Sequence, residues 1–162
     1  MLKFLLKRIL LLLPGIAVAT GDAASQARIE NFAPDDPEMS AAIATARAGL
    51  PGFFQRFHAG EGERFSVKLA VPIKGTPDYE HIWMRIATIE DGKMVRGRLT
   101  NDPENLPGLR FGSAFSAPLS RISDWSYWKG GMQFGNYTTR VILKRLSPAE
   151  AEELGAHLSP WP

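Results

Sequence analysis

Between residues 65 and 143 apolar and polar positions alternate in short runs, broken by clusters of Gly, Asn, Asp and Pro. Such a two-residue period, bounded by turn residues, predicts antiparallel strands with one buried face. Phe65, Val67, Leu69, Val71 and Ile73 make the first run, with Arg64, Ser66, Lys68 and Ala70 on a mostly polar opposite face. A loop at 75–78 leads to a second strand over 80–89. There Ile82, Met84 and Ile86 share one face, and His81, Trp83 and Arg85 share the other. Asp91-Gly92 is a two-residue hairpin signal that returns the chain over 94–100. Residues 101–112 hold two prolines and two glycines and predict a loop across an edge or end of the sheet, followed by a fourth strand over 113–119. Gly130-Gly131 closes a second hairpin between 125–129 and 132–134, and 137–144 reads as the last strand.

Helical periods flank this region. Asp36 is a cap, Pro37 suits the first turn, and Glu38 complements the positive end of the helix dipole. Met39, Ile43, Ala46 and Leu50 then share one face. Gly49 and Pro51 predict the stop, with Phe53, Phe54 and Phe57 in a separate short helical turn that plugs the sheet. At the other end Ser147, Pro148 and Glu150 spell a capping box for a short helix. Helices at the ends and consecutive strands between them predict an α+β fold. The expected sheet is antiparallel and strongly curved, with six or seven strands and partial closure into a barrel as a variant. An N-terminal helix packs on it and a short helix ends the chain.

The first nineteen residues change the picture of location. Lys3, Lys7 and Arg8 precede an apolar run of eleven residues, 9–19, that ends in Ala17-Val18-Ala19. This is the three-part layout of an export signal, and the run falls short of the roughly 20 apolar residues of a spanning helix. The expectation is a signal peptide at 1–19, a flexible leader at 20–35 and one domain at 36–158. The mature chain is then exported, to the periplasm, and carries no membrane span. The alternative is an uncleaved N-terminal anchor in the inner membrane.

Loss of the signal also removes three cations, which leaves 16 basic against 17 acidic residues. A near-neutral chain lacks the field on which nucleic-acid affinity depends, so nucleic acid is not an expected partner. The sequence holds no cysteine, which excludes disulfides, thiolate metal sites and cysteine nucleophiles.

Several short words run in a fixed order along the chain. They are Ala46-Arg47 with Leu50 and Phe53, Val67-Lys68, Glu80-His81-Ile82-Trp83, Gly97 and Asn101-Asp102-Pro103. Gly112, Ile122-Ser123-Asp124-Trp125 and Gly135-Asn136-Tyr137-Thr138-Thr139-Arg140 complete the set. Together the words resemble the YegJ-like family, a bacterial domain of unknown function (domain of unknown function 2314), over residues 35–145. The resemblance implies one compact domain, sometimes exported, and brings no accepted active site. Turn chemistry accounts for much of the motif set: Asp124 can accept from nearby backbone N–H groups and so hold Trp125 against the core.

No Gly-x-Ser-x-Gly elbow exists, and the only arrangement around a sheet histidine joins His81 to Glu80 and Asp124. His58, His81 and His157 lack metal-ligand spacing, and the Asn101–Asn105 loop lacks the acidic periodicity of a calcium site; no metal or cofactor is expected. Trp83, Trp125, Tyr127, Trp128 and Tyr137 offer ring faces to sugars, with Asn101, Asp102 and Arg140 able to bond hydroxyls. A paired-carboxylate glycosidase would use two acids across the bond, for instance Glu80 and Asp124. The reading favoured by elimination is a non-catalytic protein-binding module in the cell envelope, of the kind an immunity protein represents. Binding or hydrolysis of a cell-wall glycan such as peptidoglycan is the alternative. His81, Trp83, Asn101, Asp102, Asp124, Trp125, Tyr137 and Arg140 are the candidate binding residues.

Overall fold

The computed structural model describes residues 36–160, so the segments expected to be an export signal (1–19) and a leader (20–35) lie outside the described residues. Helix α1 (Pro37–Ala59) opens the domain, with the Asp36 side chain accepting from Met39 N at 2.9 Å. Four strands follow: β1 (Glu63–Pro72), β2 (Tyr79–Glu90), β3 (Met94–Leu99) and β4 (Ala114–Pro118). A single 3-10 turn, Leu119–Arg121, leads into β5 (Ile122–Lys129) and β6 (Met132–Gly135). Helices α2 (Tyr137–Leu143) and α3 (Pro148–Gly155) end the domain. The fold is α+β. Its sheet has the order β4-β3-β2-β1-β5-β6, and every pairing is antiparallel. Strands β4 and β6 stay apart at its edges, so the barrel variant is not realised.

The hairpin turns behave as their residues require. Asp91 and Gly92 both take positive φ, 49° and 62°, as do Gly130 and Gly131 at 60° and 78°. Positive φ at both central positions gives a turn whose twist matches the flanking strands. Gly97 answers a different need. Opposite it β2 carries a bulge between Ile86 and Thr88, and a Cβ at Gly97 would lie 1.8 Å from Arg85 O.

Two expectations about helices are corrected. Gly49 and Pro51 do not stop α1, which runs through both to Gly60, a left-handed cap at φ 65°. The apolar stripe explains why. Ala46, Leu50, Phe53 and Phe57 keep the helical spacing across the proline, and Phe53 is 1% exposed among Trp125, Phe65 and Tyr127. Burial of these rings outweighs the backbone bond that proline deletes. Gly49 serves packing: a Cβ there would sit 2.9 Å from the Trp125 ring. Trp125 itself donates from Nε1 to Ala46 O at 2.7 Å, which ties the sheet to the helix.

The second correction falls on 137–144, which form α2 rather than a strand. Tyr137, Thr139 and Val141 alternate as a strand would, and two β-branched threonines favour that reading. Positive φ at Gly135 and Asn136, 81° and 56°, turns the chain out of β6. The Asp124 carboxylate then receives the first N–H groups of α2. Tertiary hydrogen bonding overrides local propensity. Helix α3 follows expectation, with the reciprocal Ser147 and Glu150 capping box in place.

The apolar core lies between α1 and one face of the sheet, where Val67, Leu69, Ile82, Met84, Val95, Leu99, Ile122 and Trp125 are buried. Edge strand β6 is covered by the C-terminal segment through Gln133 N to His157 O at 2.7 Å and Ser159 N to Gln133 O at 2.8 Å. Trp125→Ala should lower stability by about 3–5 kcal/mol in urea unfolding, because a large buried ring leaves a cavity. Gly97→Ala should cost about 1–3 kcal/mol, since its methyl meets fixed backbone. An unchanged urea midpoint in either variant would contradict this packing.

Candidate functional site

The face of the sheet turned away from α1 carries the polar residues of the alternating strands. Cross-strand register builds it in rows. Lys68 lies between Trp83 on β2 and Asp124 on β5, and Ser66 lies between Arg85 and Ser126. Ala70 opposes His81, whose Nδ1 is 3.1 Å from Ser123 Oγ. Lys68, Trp83, Asp124 and Ser126 are all buried on this face.

Asp124 organises the centre. Its Oδ1 accepts from Trp125 N at 2.8 Å and Tyr137 N at 3.2 Å. Its Oδ2 accepts from Thr138 N at 2.8 Å and from the Thr138 hydroxyl at 2.6 Å. Lys68 Nζ donates to that same hydroxyl at 3.1 Å and stands 5.9 Å from the centre of the Trp83 ring. Thr138 thus links ammonium to carboxylate. Burial raises the Asp124 pKa, although Thr138, Lys68 and Trp125 oppose the shift. Burial lowers the Lys68 pKa, and the nearby Asp124 charge opposes it. Asp124 is 0% exposed and Lys68 2%. The arrangement holds α2 against the sheet.

The remaining candidates are distributed around this point. Trp83 is packed beneath Lys68, and its backbone N–H donates to Asn101 Oδ1 at 2.7 Å. Asp102 Oδ1 accepts from Phe111 N at 2.7 Å, which pins the far end of the 101–112 loop. Glu80 holds the middle of that loop by accepting from Glu104 N at 2.5 Å and Asn105 N at 2.7 Å. Of the oxygens that suggested a cation loop, Asn101 Oδ1 and Asp102 Oδ1 are therefore spent on backbone N–H groups. Trp125 lies in the core, Tyr137 packs edge-on against it, and Arg140 Nε donates to Gly135 O at 2.9 Å.

These positions do not assemble the catalytic groupings considered from the sequence. Register places Glu80 with the core-facing residues of β2 and Asp124 on the opposite face with Lys68, so the two carboxylates are not a pair. His81 meets Ser123, while Glu80 faces the loop. Nor do Trp83, Trp125 and Tyr127 form an open platform for sugars, since all three are buried. Among the described residues the large apolar side chains that are exposed are Phe111, at 64%, and Tyr79, at 47%.

Two residues of weight here, Lys68 and Thr138, stand in the words that carry the family resemblance but not among the candidate binding residues. Lys68 stood in a nominally polar face, and only the depth of that face reveals it as buried. Its place in the alternation between Val67 and Leu69 was the available signal. Thr138 was read within a strand, so its role as a helix residue was hidden.

An open six-stranded antiparallel sheet with one long helix on its apolar face and a buried Lys–Thr–Asp chain on the other defines the class. Residues 36–159 match the profile of a family described as "Uncharacterized protein conserved in bacteria (DUF2314)", and the chain belongs to that family. It is 32% identical over 124 residues to the Uncharacterized protein YegJ of Escherichia coli (strain K12), covering 76% of this chain and 79% of that one. A Putative ankyrin repeat protein, NMB1133/NMB1171, of Neisseria meningitidis serogroup B is 28% identical over 82 residues, which is 51% of this chain and 31% of that protein. No solved structure matches the chain. Among the described residues no helix is long and apolar enough to cross a membrane.

The buried pair generates a pH prediction with a definite sign. Folded Lys68 binds its proton less tightly than an unfolded lysine near 10.5, so the unfolded chain holds more protons as pH falls below that value. Stability contributed by Lys68 therefore rises with pH toward 10.5 and is lost as pH drops through its folded value. The stability difference between wild type and Lys68→Met, measured by urea unfolding, should shift in favour of wild type from pH 7 to pH 10. A flat difference would contradict burial of the ammonium.

Proposed function

We propose that this protein is a non-catalytic binding module that recognises a protein partner in the bacterial cell envelope. The observation that carries the reading is Phe111, 64% exposed at the end of a loop that is otherwise fastened down. Its own N–H is bound by Asp102, and Arg110 N donates to Ser113 Oγ at 3.0 Å. Glu80 holds residues 104 and 105, and Arg98 Nη1 donates to Gly112 O at 3.0 Å. Leu106 and Leu109 pack against the core from the same loop. An aromatic ring presented on a pre-ordered loop loses little entropy when it enters a partner's pocket.

Strand β4 begins three residues after Phe111 and forms one edge of the sheet. A partner strand can add there while Phe111 anchors it, which combines backbone pairing with one side-chain pocket. The envelope location rests on the export pattern of residues 1–19. The buried state of Lys68 and Asp124 supports a binding role over a hydrolytic one.

The test uses a C-terminally tagged chain expressed in a bacterium and purified from the envelope fraction after cross-linking. Phe111→Ala should abolish recovery of the cross-linked partner and leave the melting temperature within about 1 °C, since a ring in solvent contributes little to stability. Equal recovery by wild type and variant would refute the reading.

A further inference from the structure

Strand β6 is an edge strand whose outward backbone groups are covered by the chain itself. Gln133 N donates to His157 O at 2.7 Å, and Gln133 O accepts from Ser159 N at 2.8 Å. The two bonds make a single parallel bridge between Gln133 and Leu158. Two residues on, Gly135 faces the same side of the strand, and its carbonyl accepts from Arg140 Nε at 2.9 Å. Both positions are occupied, but by unlike means. Arg140 belongs to α2, which Asp124 fastens to the sheet. The segment at 156–160 hangs from α3, a helix that buries no residue.

Gly155 marks the root of this segment. A Cβ there would lie 3.3 Å from Leu143 Cδ1, so α3 ends close against α2. Leu158 N donates to Gly155 O at 2.9 Å, a turn that brings the chain back to β6. Beyond the root, the His157 ring lies 5.5 Å from the Trp128 ring, tilted by 48°. Ser159 is buried, but His157 is exposed and Leu158 only half-buried. Parallel pairing is the weaker kind per residue, and one bridge is its shortest form. The cover also has a cost. Gln133 is buried, and its side-chain Nε2 has no hydrogen-bond partner. Asn136, Thr139 and Arg140, a little further along the chain, bury unpartnered polar atoms as well. An unmet buried donor carries a desolvation penalty that contact with water removes.

We propose that residues 156–160 are a strap that opens from β6 as a unit while the six strands stay folded. Opening exchanges two backbone bonds for bonds to water and hydrates the Gln133 side-chain amide, so the closed and open forms lie close in free energy. The root at Gly155 stays on α2, and the chain swings from there. The open form bares Gln133 N–H and C=O, the groups with which an edge strand pairs. The strap is thus a built-in cover whose position decides whether β6 accepts an added strand. It lies at the opposite edge of the sheet from β4 and uses none of the contacts of the Phe111 loop, so either reading can fail alone.

Native-state hydrogen exchange on the full chain reads the strap directly. The Gln133 and Ser159 amides are bonded across the strap, whereas Asn136 N donates to Trp125 O and reports separation of β6 from β5. Gln133 and Ser159 should show matching protection, at least roughly tenfold below that of Asn136, as a local opening requires. Ser159→Pro removes the N–H that Gln133 O accepts. In that variant Gln133 should lose further protection, while Asn136 keeps its own and the melting temperature stays within about 2 °C of wild type. A smaller gap between Gln133 and Asn136 in wild type would overturn the proposal, because β6 and its cover would then open only together. So would a Ser159→Pro chain that loses Asn136 protection or melts well below wild type, since the segment would then belong to the cooperative core.

Discussion

The structure depends on one buried carboxylate. Asp124 gathers two backbone N–H groups of α2, the N–H of Trp125 and the Thr138 hydroxyl, and the Lys68 ammonium approaches through that hydroxyl. Removing a carboxylate from water is expensive, and only a full set of donors makes it tolerable. Here the donors are parts of different elements. Satisfying the charge therefore means seating α2 at the end of β5, turning the chain at Gly135 and Asn136, and closing β1 beside β5. A polar requirement at one residue fixes the relation of four elements.

The same residue couples the two faces of the sheet. Trp125, held by its own N–H to Asp124, points the other way into the core and reaches Ala46 O on α1. Gly49 and Gly135 make room for it, one beside its ring and one against its backbone, where a Cβ at Gly135 would lie 2.2 Å from Trp125 O. Asp124 and Trp125 thus form a hinge point: polar satisfaction on one side and aromatic packing on the other. A second link ties the ends of the domain, where Arg145 meets Asp36 at 2.7 Å just before α1 begins.

Function follows from what this framework leaves outside itself. Residues with strong chemical character, Lys68, Asp124 and Trp83, are committed to the interior. Among the described residues a large apolar group offered to solvent lies elsewhere: Phe111 on its pinned loop. The family to which the chain belongs is described only as uncharacterised and conserved in bacteria.

Residues alone settled the α+β class, five of the six strands to within a residue or two at most ends, both glycine-bearing hairpins and the capped starts of α1 and α3. Each of these rests on local rules: side-chain alternation, positive φ at turns, and caps for orphan N–H groups. The motif Ile122-Ser123-Asp124-Trp125 also announced its role, because an aspartate beside a tryptophan in a strand invites a backbone acceptor. Three things were decided only in three dimensions. Helix α1 continues through Pro51 because the phenylalanines beyond it have a core to enter. Residues 137–143 become helix because Asp124, thirteen positions earlier, supplies acceptors that a strand would waste. Lys68 is buried because the polar face of its strand is not a solvent face. Local patterns encode what a segment prefers, whereas burial and distant hydrogen bonds determine which preference is overruled, and those exist only once the chain has folded.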